Sequence, residues 1–365
     1  MVATSPQIDS APRLAAVDVV FPPYVYSQEQ ITAQFVAFSP PDTPRQGELL
    51  ARLSRNTGVR ARHLALPLEQ YGRLTGFTAA NDAYIEVALE LGEAALRGAF
   101  KAAGIRPEDV DLIISTSVTG LAVPSLDARL AHRVGLRQDV KRLPLFGLGC
   151  VAGAAGVARL NDYLRAWPDH VAVLLAVELC SLTVQRGDMS GASLVAASLF
   201  GDGAAAVVAV GAGREADAAT DPPRILATRS RLYPDTEDVM GWRIGSTGFR
   251  IVLSQEVAPI AEQFLAADVR EFLSEHGLAI DDVGRWICHP GGPKVIDTIE
   301  HALALPPDAL ARTRDSLARR GNLSSVSVLD VLRQTLDEPR PPREQRGLMM
   351  AMGPGFCSEL VLLGW

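Results

Sequence analysis

The sequence predicts a layered α/β fold made of two similar halves, and three observations carry that prediction. Segments with helical apolar spacing alternate with short, continuous apolar runs of the kind found in strands buried on both faces of a sheet. A stretch near residue 110 returns in altered form at a fixed offset further along the chain. Finally, 365 residues of which 48% are hydrophobic suffice for a large buried core, and the evenly mixed charges argue against disorder.

Residues 81–103 carry helical spacing and stop at Gly104, and VDLIISTSV (110–118) then reads as a buried strand. Residues 125–134 form the next helix. A short strand over 143–146 runs into LFGLGCVAGAAGVARL (145–160), whose small residues open a helix over Ala152–Ala166, stopped near Pro168. HVAVLLAVEL (170–179) and FGDGAAAVVAV (200–210) are further strands, the second opened by a turn. GAGREADAATDPPR (211–224) is polar and rich in Gly, Ala and Pro, which marks a connector between halves placed at 1–212 and 213–365. Beyond it the pattern predicts a long helix over 257–276, a strand in RWICHP (285–290), a helix over 326–336 and a strand-turn-strand tail in LMMAMGPGFCSELVLLGW.

The internal echo pairs AAGIRPEDVDLIISTS (102–117) with EHGLAIDDVGRWICHP (275–290). In each, a glycine is followed five residues later by Asp-Val and then an apolar strand, at an offset of 173 residues. The same offset carries Cys150 to Leu323, beside Asn322 in RGNLSSVSVLDVL, another glycine turn opening a small-residue helix. Two coincidences at one offset imply duplicated halves. Cys150 and Asn322 then stand at matching helix starts, with His289 at a strand end in the second half.

A net charge of −7 without any Lys/Arg cluster makes nucleic acid or an anionic membrane an unsuitable partner. No apolar stretch reaches the roughly 20 residues that a membrane helix needs, and MVATSPQIDSAPRL lacks the basic-then-apolar order of a secretion signal. A cytoplasmic protein is expected. Cys150, Cys180, Cys288 and Cys357 show no CxxC or metal-type spacing, so no metal site is expected, and a reducing compartment argues against disulfides.

Three side chains invite a chemical reading. Gly147 and Gly149 permit a sharp turn into a helix, and a cysteine in that first turn faces unpaired amides and the positive end of the dipole, both of which lower a thiol's pKa. Cys150 is therefore either a reactive thiol or a small buried hydrophobe. His289, in CHPGGP, follows an apolar strand where Gly291 and Gly292 admit a ligand, although a histidine bonded within a turn is the plainer alternative. Asn322 is either a helix N-cap or an amide donor to an oxygen that turns negative during reaction. His63, His132, His170, His276 and His301 lie in helix or loop contexts without such surroundings.

Taken together these segments resemble a known family. GLGCVAGAAG, LFGDGAAAV, WICHPGGPKVID, GNLSSVSVL and MGPGFCSEL, in that order from about Pro12 to Trp365, are similar to signatures of the type III polyketide synthases, the chalcone-synthase-like family of the thiolase superfamily. VELCSLT and MGWRIGSTGF resemble its bacterial branch. The resemblance implies a thiolase-like five-layered αβαβα fold of two duplicated halves and a homodimer. It also implies Cys-His-Asn catalysis on acyl-CoA and malonyl-CoA with no metal and no cofactor.

On that resemblance Cys150 accepts a starter acyl group, and His289 holds it as a thiolate. His289 and Asn322 polarise malonyl-CoA for loss of carbon dioxide. Phe200 matches a gatekeeper between the coenzyme A tunnel and the cavity. Cys180, Thr183 and Ile251 match cavity positions, and Val123 matches a residue that enters the partner's cavity. Ser324, Gly291, Gly292 and the Gly353-Pro354-Gly355 turn fall at further substrate-side positions. Ala351 and Met352 depart from the family's usual loop. Arg52 and Arg55 either pair with coenzyme A phosphates, because guanidinium forks match phosphate oxygens, or form a solvated helix face, and the family's basic pattern is only partly kept, with Asn56 where a lysine is often found.

Loss of aromatic bulk at the cavity positions favours an aliphatic, even long-chain, starter extended to an alkylpyrone or alkylresorcinol. The alternatives are a naphthalene-type product from malonyl-CoA alone, a single condensation of the ketoacyl synthase III kind, and a silent partner that only binds acyl-CoA.

Overall fold

The computed structural model describes residues 10–214, 222–339, 341–342 and 345–365. Most of the segment read for a secretion signal and half of the 211–224 connector, residues 215–221, lie outside the described residues. The first half runs β1 (Arg13–Val20), β2 (Tyr24–Ser27), α1 (Gln28–Phe38), α2 (Pro44–Asn56), β3 (Ala61–Leu64), α3 (Leu68–Tyr71), α4 (Phe77–Ala103) and β4 (Leu112–Thr116). It continues with α5 (Leu126–Val134), β5 (Lys141–Leu145), α6 (Ala152–Ala166), β6 (Val171–Leu179), α7 (Gly191–Leu199) and β7 (Asp202–Val210). The second half opens with β8 (Arg224–Leu232), β9 (Met240–Gly245), β10 (Gly248–Leu253), α8 (Val257–Ile260), α9 (Ala266–Glu275) and β11 (Val283–Cys288). It closes with α10 (Pro293–Leu303), α11 (Ala311–Arg320), α12 (Ser325–Leu336), β12 (Arg346–Gly353) and β13 (Cys357–Gly364).

The main sheet has the strand order β11-β12-β13-β8-β1-β7-β6-β4-β5. Its two sectors join where β1 meets β8, through the single ladder pair Arg13 with Arg224. Outward from that seam each sector repeats one scheme: two antiparallel pairings, then a parallel one.

Side chains alternate along every strand and sort the molecule into layers. Leu112 and Ile114 of β4, Ile287 of β11 and Met349 of β12 pack on the central helices α6 and α12. Ile113 faces the opposite way, onto α4 and α5. Trp286 and Cys288 face α9, α10 and α11. The result is five layers, αβαβα, as expected.

The echo in the sequence is an echo in space. Gly104 and Gly277 end their helices at φ of 65° and 70°, in the left-handed region glycine enters without strain. In each, the next residue's amide bonds back across the turn, Ile105 to Phe100 and Leu278 to Leu273. Helices α6 and α12 begin at Ala152 and Ser325, the same 173 residues apart. They touch closely enough that a Cβ on Gly153 would lie 2.2 Å from the Ser325 carbonyl oxygen.

Two predicted elements differ in detail. Helix α4 starts at Phe77 rather than Asn81, because the Asn81 side chain pairs with the Leu121 main chain instead of capping a helix. The long helix over 257–276 contains a π-wound stretch, Ala261–Leu265, between α8 and α9. The apolar period did not signal it.

Candidate active site

Cys150 sits in a 3₁₀ turn, Gly149–Val151, that feeds α6. Gly147 (φ 96°) and Gly149 (φ 55°) make the bend that an L-residue resists. Crowding at the same spot accounts for two of the expected loop residues. A Cβ on Gly149 would lie 2.7 Å from Pro354 Cδ, and one on Gly353 would lie 2.7 Å from the Val151 amide nitrogen. Gly353 therefore seats the cysteine turn against the β12–β13 turn, a scaffolding role. The Cys150 thiol donates to Ser324 Oγ at 3.6 Å. Ser324 caps α12 at φ 50° and ψ −125°, a strained setting for a serine, costing about 1–3 kcal/mol.

His289 follows β11, held by its amide bonding to the Met350 carbonyl at 2.9 Å. Its Nδ1 is buried without a hydrogen-bond partner. Asn322 is fixed by main-chain bonds on both sides. Its amide donates to Leu199 (2.8 Å), and its carbonyl accepts from Gly201 (2.9 Å), which pairs it with Phe200 as a short β-bridge. The side-chain oxygen accepts from the Ser324 amide at 2.8 Å, and Nδ2 donates to Gly291 O at 3.3 Å. Asn322 is thus no helix cap; its Nδ2 is the end turned to the cleft side, where Gly291 lies.

Cys150, His289 and Asn322 line one outer cleft of about 1850 Å³. Gly291, Gly292 and Arg52 line it too, with Lys294, which the sequence reading missed. A second, inner cavity of about 1140 Å³ lies on the other side of Cys150 and Phe200, which line both. Cys180, Thr183, Ile251, Ser324 and Pro354 face this inner space. Four expected residues line neither: Arg55 is exposed on α2, Gly353 and Gly355 shape the turn, and Val123 stands 94% exposed. The inference that the cavity lost its aromatic bulk needs correcting. Phe35, Phe38, Tyr71, Trp242 and Phe249 line the inner cavity beside Ile251. Phe35, Phe38 and Tyr71 come from α1 and α3, segments carrying no motif, and Trp242 and Phe249 from the β9–β10 ribbon, whose MGWRIGSTGF stretch was not read as cavity wall.

Burial dominates the electrostatics. It pushes the Cys150 thiol up to about 12, against the expectation that a helix start would lower it, and pushes His289 down to about 3. Alone, each stays neutral at pH 7. An ionised pair would require the thiol proton to pass to the imidazole, so that opposite charges offset each other's desolvation. Nearby Glu178 is fully buried and accepts from Ser325 Oγ (2.6 Å), Thr119 Oγ1 (3.0 Å) and the Val118 amide (3.1 Å). It ties the first half to the start of α12. Among the described residues no cluster of His, Cys, Asp and Glu is arranged to hold a metal ion, and no helix is long and apolar enough to cross a membrane.

A thiol, an imidazole and an amide on one cleft, with an enclosed space beyond, suit acyl transfer followed by chain growth. Family models for the N-terminal and C-terminal domains of chalcone and stilbene synthases match residues 6–214 and 224–364. The chain belongs to the chalcone and stilbene synthase family. It is a type III polyketide synthase, an acyltransferase that performs decarboxylative condensation on coenzyme A thioesters and needs no cofactor. Among relatives, the 1,3,6,8-tetrahydroxynaphthalene synthase of Streptomyces peucetius subsp. caesius is 53% identical over 98% of this chain and 94% of its own. An α-pyrone synthesis polyketide synthase-like protein of Mycobacterium tuberculosis is 30% identical over 76% of this chain and 70% of its own. The crystal structure of the tetrahydroxynaphthalene synthase of Streptomyces coelicolor A3(2) superposes with a TM-score of 0.90 at 34% identity, covering 97% of this chain and 99% of that one. Membership in this family sets aside the ketoacyl synthase III and silent-partner alternatives.

Proposed function

We propose that this type III polyketide synthase uses malonyl-CoA as both starter and extender and closes the chain to a polyhydroxynaphthalene. The observation that carries the mechanism is the meeting of Cys150, His289 and Asn322 on one cleft, with the inner cavity opening past Cys150 and Phe200. The likeness to two tetrahydroxynaphthalene synthases supports the choice of starter over the aliphatic one first expected.

In this reading His289 takes the Cys150 proton, and the thiolate attacks the starter thioester. The carbon–sulfur bond to coenzyme A breaks, and the leaving thiolate takes the proton from the imidazolium. A second malonyl-CoA then loses carbon dioxide, its electron pair moving onto the thioester oxygen. His289 and Asn322 donate hydrogen bonds there, worth about 3 kcal/mol each by analogy with oxyanion holes. The enolate carbon attacks acyl-Cys150, forming a carbon–carbon bond and releasing the thiolate to receive the lengthened chain.

A second reading keeps an aliphatic starter, favoured by the apolar side chains of Ile31, Phe35, Leu64 and Leu68 in the inner cavity. One experiment separates the two. Purified enzyme is given isotope-labelled malonyl-CoA, with and without acyl-CoAs. A labelled polyhydroxynaphthalene from malonyl-CoA alone is expected; product only when an acyl-CoA is present overturns the malonyl reading in favour of the aliphatic one.

A homodimer completes the proposal. Strand β5 is an exposed sheet edge, and Val123, Leu143 and Phe146 are exposed apolar side chains in the same half. A second copy would cover them and take Val123 toward its own cavity. Light scattering should give twice the chain mass; a monomer would remove this part. Coenzyme A thioesters as substrates suit a cytoplasmic setting.

A further inference from the structure

Each of the two cavities at Cys150 is lined by one buried side chain with unpartnered polar atoms. In the outer cleft it is His289, through Nδ1; in the inner cavity it is Arg62, through Nε and Nη2. Native structures satisfy nearly all buried polar groups, so an exception asks for an explanation. The chemistry of the outer cleft supplies one for His289. Arg62 has none yet.

Arg62 lies on β3 and is 2% exposed. Nη1 donates to the Phe200 carbonyl at 2.8 Å. Asp202 balances the charge electrostatically, but its own oxygens are engaged by the Ala65 amide at 2.6 Å, the Ser181 amide at 2.8 Å and the Ser181 hydroxyl. The stem is held as well, since a Cβ on Gly321 would lie 2.9 Å from Arg62 Cδ. Arg62 therefore lines a mainly apolar cavity while its Nε and Nη2 stay buried without a partner.

We propose that Arg62 is a substrate-binding residue of the inner cavity, whose Nε and Nη2 groups hold an oxygen of the poly-β-keto chain carried on Cys150. The inference rests on the polyketide-extending reading above. Such a chain bears oxygen on alternate carbons and ionises readily between them, so its carbonyl, enolate and carboxylate oxygens all suit a guanidinium edge. Holding one oxygen fixes how the chain folds. Arg62 therefore acts on chain length and ring closure, while carbon dioxide is lost in the outer cleft.

The test compares wild type with Arg62→Met and Arg62→Lys by carbon dioxide release from malonyl-CoA, acylation of Cys150 by intact-protein mass, and product profile. Folding is monitored by circular dichroism. Arg62→Met should acylate normally and release carbon dioxide at a near wild-type rate, while the full-length product falls about 10- to 100-fold, as expected for a lost charged hydrogen bond, and short pyrones replace it. Arg62→Lys should fall between. An unchanged product profile overturns the proposal, and so does an equal loss of carbon dioxide release and product. If Arg62→Met does not fold, Arg62→Lys decides by the same criteria, and failure of both to fold assigns Arg62 to the scaffold and overturns it. A wild-type enzyme that extends no starter at all is a separate result, visible in the control, and removes the underlying reading.

Discussion

The two cavities at Cys150 are built differently. The outer cleft takes its reactive groups from three short turns: the glycine bend before α6, and the end of β11 and the turn before α12, which main-chain bonds pin. The inner cavity takes its wall from side chains on α1, β3, α7 and the β9–β10 ribbon, and most are apolar. One region is defined by where the backbone goes, the other by what the side chains fill. The contrast teaches that chemistry and product are specified separately, so substitutions on the two sides should separate in kinetics.

The largest effects fall in the outer cleft. His289→Gln and Asn322→Ala should each lower carbon dioxide release from malonyl-CoA about 10²- to 10³-fold, the loss typical of one oxyanion donor. Cys180→Thr, in the inner cavity, should leave that rate within a few fold while altering the product profile. Stopped assays of labelled carbon dioxide measure both. Should Cys180→Thr slow decarboxylation as much as His289→Gln does, the division between the cavities breaks.

The same contrast explains what the sequence disclosed. Glycines with positive φ and an Asn-Leu-Ser-Ser turn are local necessities, so the turns at Gly149 and Asn322 and the duplicated scheme around them were legible from spacing, while the roles expected of His289 and Asn322 came from the family resemblance. Phe35 and Arg62 belong to segments with no motif, and only the tertiary fold carries them to the cavity at Cys150. The direction of the Cys150 pKa was misjudged for the same reason. A helix start is local and lowers it, whereas burial is tertiary and here wins. Arg52 and Arg55 looked alike in sequence, three residues apart on α2, yet only Arg52 lines the cleft.

Beneath both cavities Glu178 supplies a pH-dependent test. Burial raises its pKa from 4.5 to about 7. The folded protein therefore holds a proton that the unfolded chain gives up, and the contribution of Glu178 to stability is fully present below pH 4.5 and is lost as pH rises through about 7. From the size of the shift, that fall is on the order of 3 kcal/mol. Glu178→Gln keeps an acceptor for Ser325 but cannot ionise, so its stability should decline less than that of wild type over this interval, in which Asp202, raised to about 6, also titrates. Denaturant unfolding at pH 5 and pH 8 measures the difference, and parallel declines in wild type and variant would remove Glu178 as the cause.

The smallest expected effect lies at the outer mouth, and it sharpens the comparison most finely. Arg52 and Lys294 are both exposed beside the cleft that holds His289 and Asn322. Exposed cations attract phosphates weakly, by about 1 kcal/mol each, so Arg52→Ala or Lys294→Ala should raise the KM for malonyl-CoA about fivefold and leave kcat unchanged. Added salt should shrink the effect, because exposed charges are screened. Arg55→Ala provides the contrast within one helix: it lines neither cavity, so its KM should match wild type. An equal rise from Arg55→Ala would mean that coenzyme A crosses a broader face of α2 than the cleft defines, and the mouth would have to be redrawn to include it.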